Sequence, residues 1–149
     1  MDNNGKPITI LVADDDPDDR LMIKEALEEA RLANRIEFVE DGVELMDYLH
    51  RRGNHADRSG PTVPGLLLLD LNMPRKDGRE ALEEIRADSK LKRLPVIVLT
   101  TSAAEEDILR TYDLGASSFI TKPVTFADFV RTMETVTDYW LQIVSLPQQ

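Results

Sequence analysis

The chain has 149 residues, a formal net charge of −10 and no cysteine. This length is sufficient for one domain with a complete core, and the lack of cysteine excludes disulfides, thiolate zinc sites and cysteine nucleophiles. The negative charge argues against nucleic acid as a partner, because that affinity depends on clustered lysine and arginine side chains. The sequence contains neither an apolar run near the roughly 20 residues that span a bilayer nor a secretory signal, so we expect a cytoplasmic protein without membrane contact.

Short apolar runs and helical patterns alternate from the N-terminus onward. Residues 1–6 are expected to form a flexible tail, and residues 8–13 form an apolar run that predicts a first strand. The period then changes at Pro17, a residue suited to the first turn of a helix. A short strand and a short helix are predicted next, over 36–39 and 43–49.

The second half of the chain continues this alternation. Residues 51–64 have no periodicity and many structure breakers, which predicts an exposed loop before the central strand at 65–70. We expect both histidines, His50 and His55, to lie in solvent. The predicted elements that follow are a helix around 81–85, a strand over 96–100, a helix that stops at Gly115, a strand over 118–121 and a last helix over about 125–144. Strands that alternate with helices predict a parallel sheet with right-handed crossovers.

Polar side chains follow four of the apolar runs directly. Asp14 and Asp15 follow the first predicted strand, Asp70 the central one, Thr100 ends the fourth, and Lys122 follows the last. Because ligands of open parallel sheets bind outside the carboxyl ends of the strands, we expect these groups to meet at one edge. Three carboxylates, a hydroxyl and an ammonium there predict a site for Mg²⁺ and a phosphoryl group, with Asp70 as the nucleophile.

Other interpretations compete for the acidic segment after the first strand. The N-terminus of a helix, where aspartate is favoured, explains Asp18 and Asp19 well, and also Asp16. A calcium-binding loop is disfavoured, since it requires glycine where Asp19 stands and follows a helix rather than a strand. A phosphatase of the haloacid-dehalogenase type would use Asp14 as its nucleophile, but that motif requires threonine or valine where Asp18 stands.

The last predicted helix is long for a helix that only packs on a sheet. Its first half is expected to cover the sheet, whereas its apolar end more often meets a partner than water. The positions assigned to a dimer or partner surface are spaced three and four apart: Phe129, Met133, Val136, Trp140 and Ile143.

Taken together, these motifs resemble the receiver domain of bacterial two-component response regulators. The matching segments cover essentially the whole chain: residues 10–17, 69–74, Asp77-Gly78, 95–100, Gly115-Ala116 and Lys122-Pro123. The resemblance implies an α/β, flavodoxin-like, doubly wound fold over residues 7–147. It further implies five parallel strands in the order 2-1-3-4-5 and five helices, the last of them elongated.

The resemblance also implies a function and a metal site. A receiver takes a phosphoryl group from a phosphohistidine of a sensor histidine kinase, here onto Asp70, and then changes conformation to signal to a protein partner. Asp15, Asp70 and the backbone carbonyl of Asn72 would hold Mg²⁺, and Asp14 would act through metal-bound water. Such a module catalyses only its own phosphotransfer and dephosphorylation. A receiver that is never phosphorylated is disfavoured, because every required residue is present.

Three further roles come from the same resemblance. Lys122 would neutralise a phosphoryl oxygen, and Thr100 would turn to bond the phosphate while the ring of Phe119 repacks beside it. Many members of the family have tyrosine at the position of Phe119, so the hydroxyl is missing here. The bond between Lys122 and Pro123 is often cis in the family, which the sequence leaves open.

Two features resemble the subgroup of regulators that pair with phytochrome-type kinases. One is the long loop over 51–64, and the other is the elongated, apolar end of the last helix. Members of that subgroup are single domains that lack an output module and tend to form homodimers. The resemblance therefore implies a phytochrome-type sensor kinase and a second copy of the chain as partners.

Overall fold

The computed structural model describes residues 9–29, 35–57, 63–100, 110, 112–121 and 125–137, with the backbone alone at Thr100, Phe119, Val136 and Thr137. Its regular elements are β1 (Thr9–Ala13), α1 (Pro17–Glu29), β2 (Arg35–Val39), α2 (Gly42–His50), β3 (Leu66–Leu69), α3 (Gly78–Ala87), β4 (Val96–Thr100), β5 (Ser118–Thr121) and α4 (Phe126–Thr137). None of the helices in these ranges is long and apolar enough to cross a membrane. The helix predicted between β4 and β5 falls mainly on residues outside these ranges.

All five strands are parallel and lie in the order β2-β1-β3-β4-β5, which confirms the predicted flavodoxin-like topology. Ala13 at the end of β1 is in register with Val39 of β2 and Leu69 of β3. These three strands therefore end at the same level. Chain order reverses between β1 and β3, and ligands of open α/β sheets bind in the crevice at such a switch point. The residues that follow β1 and β3 are placed side by side there.

Alternate residues of each central strand face two separate apolar layers. Ile10 and Val12 of β1 lie in the cluster formed with α1 and α4, whereas Leu11 and Ala13 lie in the cluster formed with α2 and α3. All four are at most 1% exposed. Because helices cover both faces, the strands are continuous apolar runs rather than alternating ones. This burial fixes the strand ends, and hence the residues that follow them.

The first half of α4 belongs to this core, which corrects part of the partner-surface prediction. Phe129 and Met133 are 1% and 0% exposed and lie in the apolar cluster that contains Ile23 and Leu27 of α1. They are core positions and are not accessible to a partner. Helical spacing predicts which residues share a face but not what covers that face. Three other positions were predicted for the surface. The structure describes the backbone alone at Val136, and Trp140 and Ile143 fall outside the residues that it describes.

The loop after α2 has more structure at its start than the sequence predicts. Gly53–His55 form a short 3₁₀ turn, and Nε2 of His55 lies 3.0 Å from Oε2 of Glu44. The His55 ring also contacts Tyr48 edge-on, with the ring centroids 5.1 Å apart. Its side chain is only 19% exposed, so the prediction that His55 lies in solvent is wrong. The turn carries the ring back onto α2, a contact that local sequence does not reveal.

A half-buried arginine joins α3 to two neighbouring loops. Arg86 donates from Nε to the carbonyl of Gly115 at 2.7 Å, and from Nη1 to the carbonyls of Leu94 at 2.6 Å and Lys92 at 3.0 Å. Burial lowers the pKa of Arg86 from its ordinary value. The guanidinium nevertheless stays charged, because its pKa is so high in proteins. These bonds fix the entry to β4 and the turn before β5.

Candidate functional site

The site begins where β1 ends. The backbone N–H of Asp14 donates to the carbonyl of Val39 at 3.1 Å, so the ladder continues one residue beyond the strand. The Asp14 side chain is buried, and its Oδ1 accepts the N–H of Asp16 at 3.0 Å. Asp15, in contrast, is exposed. Arg20 on the first turn of α1 donates from Nη1 to the Asp14 carbonyl at 2.8 Å. This bond ties the end of β1 to α1 and so restrains the short segment that carries Asp14 and Asp15.

Asp16 has the structural role that the helix interpretation gives it. Its Oδ1 accepts the N–H of Asp18 at 2.8 Å and that of Asp19 at 3.4 Å, and α1 begins at Pro17. The Asp16 carboxylate therefore caps α1. A haloacid-dehalogenase phosphatase would need this carboxylate as its second acid beside Asp14, so that alternative is not supported.

The second part of the site follows β3. The N–H of Asp70 donates to the carbonyl of Ala13 at 2.9 Å, and the residue is 7% exposed. Its Oδ1 accepts the N–H of Asn72 at 3.0 Å, a turn in which the side chain orients its own loop. The loop then returns so closely that a Cβ at Gly78 would lie 2.5 Å from the Asp70 carbonyl oxygen. Glycine is required at that position because any side chain would displace the loop.

The carboxylates of Asp14, Asp15 and Asp70 converge at the edge of the sheet. One oxygen from each lies within 4.8 Å of the other two. Two full charges at that separation repel by about 0.9 kcal/mol in water and by about 3.5 kcal/mol at an effective dielectric constant of about 20. An oxygen-only donor set of this kind suits a hard divalent cation such as Mg²⁺ or Mn²⁺. The convergence expected from the sequence is thus observed for these three side chains.

The remaining predicted site residues are described less completely. Asn72 lies in the loop directly after Asp70, and β4 ends at Thr100. Phe119 lies on β5, next to β4 in the sheet. The side chains of Thr100 and Phe119, and the whole of Lys122 and its bond to Pro123, fall outside the part of the chain that the structure describes. Their assigned roles stay predictions.

Two arginine contacts at the site were not predicted from the sequence. One is the bond from Arg20 to the Asp14 carbonyl. The other joins Nη1 of Arg75, in the loop after β3, to Oδ2 of Asp41 at 3.2 Å, across 34 positions of sequence. Neither has a signal in the sequence, because arginine is common on surfaces and its acceptor depends on how the loops meet.

Comparison with known proteins agrees with this geometry. Residues 10–134 match the response regulator receiver domain. Response regulator Rcp1 of Synechocystis sp. is 35% identical over 146 residues, which cover 98% of this chain and 97% of Rcp1. The Mn²⁺-bound crystal structure of Rcp1 superposes with a TM-score of 0.85 at 36% identity, covering 95% of this chain and 99% of Rcp1.

Two further solved structures are similar over nearly their full length. The phosphorylated cyanobacterial phytochrome response regulator RcpA has a TM-score of 0.87 at 39% identity, with coverage of 95% of this chain and 99% of RcpA. Response regulator RPA3017, which acts in red light signalling of R. palustris, has a TM-score of 0.89 at 36% identity, with coverage of 96% and 99%. With its acid cluster at the β1/β3 switch point and its match over residues 10–134, the chain belongs to the response regulator receiver domain family.

Proposed function

We propose that this chain is a phosphoacceptor response regulator that carries its phosphoryl group on Asp70. The donor is a phosphohistidine of a sensor histidine kinase. The observation that carries the proposal is the convergence of Asp14, Asp15 and Asp70 within 4.8 Å at the ends of two central strands. A single acid at a strand end could be a cap or an ion-pair partner. Three acids held this close favour a cation, and a cation beside a nearly buried carboxylate favours chemistry on phosphate.

The proposed transfer needs only one nucleophile. A carboxylate oxygen of Asp70 attacks phosphorus, a P–O bond forms as the P–N bond of the phosphohistidine breaks, and the leaving imidazole nitrogen keeps the electron pair and takes a proton from water. Negative charge spreads over the equatorial oxygens, so catalysis is mostly positioning and charge stabilisation. Asp14, Asp15, Asp70 and the Asn72 carbonyl would hold Mg²⁺, which supplies positive charge beside those oxygens when it is bound. The bond from the Asn72 N–H holds the Asp70 carboxylate in one orientation.

The response to phosphorylation is assigned to the strands next to β3. In this proposal Lys122 neutralises a phosphoryl oxygen, Thr100 turns toward the phosphate, and Phe119 repacks beside it. The sheet supports the assignment, since β3, β4 and β5 are consecutive parallel neighbours and β5 ends one residue before Lys122. A protein partner then recognises the changed surface, so the output of this domain is a protein contact.

The relatives suggest which partners are involved. RcpA is a phytochrome response regulator and RPA3017 acts in red light signalling. We extend this to the chain and propose a phytochrome-type histidine kinase as its phosphoryl donor in the cytoplasm.

We also propose a homodimer formed by the apolar end of the last helix, now restricted to Val136, Trp140 and Ile143. Light scattering at tens of micromolar protein tests this: a dimer for the native chain and a monomer for Trp140→Ala are expected. A native monomer would contradict the homodimer.

Intact-mass spectrometry after incubation with acetyl phosphate and Mg²⁺ tests the phosphoacceptor. One phosphoryl adduct is expected for the native chain, none for Asp70→Asn, and none when EDTA removes the metal. Asp77→Asn is the matched control, because Asp77 lies in the same loop but caps α3, and asparagine caps equally well. An adduct that persists in Asp70→Asn would refute the assignment. Rapid hydrolysis of p-nitrophenyl phosphate would favour a phosphatase instead.

A further inference from the structure

The loop between β3 and α3 is held in an unfavourable backbone conformation. Arg75 has φ of +68°, in the left-handed region that residues other than glycine, asparagine and aspartate rarely adopt. The neighbouring N–H of Lys76 donates to the carbonyl of Pro74 at 2.7 Å, and that of Gly78 to the carbonyl of Leu71 at 2.8 Å, so the loop turns tightly on both sides. Such a conformation persists only where the surroundings determine it. Specific contacts must therefore hold Arg75 in place.

Asp41, the N-cap of α2, supplies one of these contacts. Its Oδ1 accepts the N–H of Glu44 at 2.7 Å, while its Oδ2 accepts Nη1 of Arg75 at 3.2 Å. The Asp41 side chain is 13% exposed and that of Arg75 is 61% exposed. The carboxylate is thus fixed on a helix end and largely shielded from water, whereas the arginine reaches to it from the loop. A charge-assisted bond to a fixed acceptor restrains the loop more than a bond between two mobile surface groups.

Direct backbone contact between α2 and the loop is the second restraint. A Cβ at Gly42 would lie 2.0 Å from the carbonyl oxygen of Lys76, a distance that no side chain tolerates. The first turn of α2 therefore lies against the loop itself. This contact is separate from the ion pair, because it joins the backbones of Gly42 and Lys76 rather than the side chains of Asp41 and Arg75.

From these contacts we propose that Asp41 is a positioning residue for the phosphoacceptor site, acting through Arg75 on the loop after Asp70. This inference rests on the proposed function. The same loop carries Asn72, whose N–H orients the Asp70 carboxylate and whose carbonyl is assigned to Mg²⁺. A loop freed from α2 holds both groups less firmly. Asp41 lies outside the acid cluster, so its effect on metal binding is indirect.

Conservative variants separate the ion pair from the helix cap. Asp41→Asn keeps an acceptor for the Glu44 N–H but loses the charge that faces Arg75. Arg75→Gln removes the cation at an exposed position, and Arg75→Lys retains it. Asp47→Asn is the matched control, since Asp47 is on the same helix and its partner is Arg52, at 2.9 Å, rather than the loop. Unfolding curves for each variant confirm that the fold is retained.

Two measurements report on the loop. Hydrogen exchange of the metal-free protein follows the N–H groups of Lys76 and Gly78, and titration calorimetry gives the Kd for Mg²⁺. Asp41→Asn and Arg75→Gln are expected to speed exchange at these amides and to raise the Kd about threefold, which is the scale of one partly exposed ion pair. Arg75→Lys should stay close to the native values, and Asp47→Asn should not change them.

The direction of the change in the Kd for Mg²⁺ distinguishes loop positioning from a general charge effect. Removing a cation by Arg75→Gln would tighten Mg²⁺ binding if only long-range electrostatics acted, so weaker binding in this variant supports loop positioning. The double variant should weaken binding about as much as each single one, because both break the same contact. The inference is overturned if Asp41→Asn has the same exchange rates and the same Kd for Mg²⁺ as the native chain. It is also overturned if Asp47→Asn has an equal effect, or if the effects of the two single variants multiply in the double variant. If the native chain takes no phosphoryl adduct but exchange rises in Asp41→Asn, the proposed function fails and the loop contact stands.

Discussion

Neutralising the phosphoacceptor is expected to stabilise the metal-free protein. Asp70→Asn removes one of three charges within 4.8 Å but keeps an oxygen that can accept the Asn72 N–H. Each pair of charges at that distance repels by about 0.9 kcal/mol in water and about 3.5 kcal/mol at an effective dielectric constant of about 20. Asp14 is buried and Asp15 is exposed, so the two pairs that include Asp70 lie between these limits. The two pairs together repel by about 2 to 7 kcal/mol, and because Asp15 is exposed we expect the free energy of unfolding to rise by an amount near the lower limit, about 2 to 3 kcal/mol.

Urea unfolding in EDTA measures this change. For a chain of this size each kcal/mol corresponds to roughly 3 °C in Tm, so thermal unfolding gives an independent value. The gain in stability should shrink at high salt, because dissolved ions screen the repulsion between Asp70 and the exposed Asp15. Asp77→Asn, which neutralises a partly exposed cap outside the cluster, should leave stability nearly unchanged. If Asp70→Asn in EDTA is no more stable than the native chain, the view that the three carboxylates repel one another is refuted.

Three further predictions concern the metal and the core. Mg²⁺ at tenfold its Kd should stabilise the native chain by about 1.4 kcal/mol and Asp70→Asn by much less, as measured by urea unfolding with and without the ion. Arg86→Met should lower the free energy of unfolding by about 2 to 4 kcal/mol, because it removes hydrogen bonds from a charged donor to three carbonyls. An unchanged unfolding midpoint would contradict this. Phe129→Ala should cost about 3 to 5 kcal/mol as a buried position, whereas Phe126→Ala, at a residue 43% exposed, should cost less than about 1 kcal/mol. Equal costs at Phe126 and Phe129 would contradict the core placement of Phe129.

The strands and the acid cluster could be predicted because local pattern and topology determine them together. A strand covered on both faces must be apolar throughout, so its end is marked by the first charged residue, as at Asp14 and Asp70. Parallel strands end at one edge, which brings those residues together whatever their distance in sequence. The lateral order of the strands was not contained in these patterns. It came from the resemblance to the receiver family.

The errors and omissions concern contacts between elements. The first half of the last helix is expected from the sequence to cover the sheet, but the same spacing led to Phe129 and Met133 being assigned to a partner surface as well, and the packed fold shows that both are core residues. His55 stands in a segment rich in breakers, and its position depends on a turn that folds back onto Glu44. The Asp41–Arg75 pair joins two loops 34 positions apart and has no local signature. Each of these depends on how separate elements meet, which periodicity does not describe.

The position of the phosphoryl group in the folded protein decides whether Asp70 is the phosphoacceptor. Borohydride reduces an aspartyl phosphate to homoserine, so treatment of the chain after acetyl phosphate and Mg²⁺, followed by peptide mapping, identifies the modified residue. We expect homoserine at position 70 alone, and none when EDTA is present. Homoserine at position 14 or 15, or no modified peptide under conditions where the acid cluster binds Mg²⁺, would contradict this expectation.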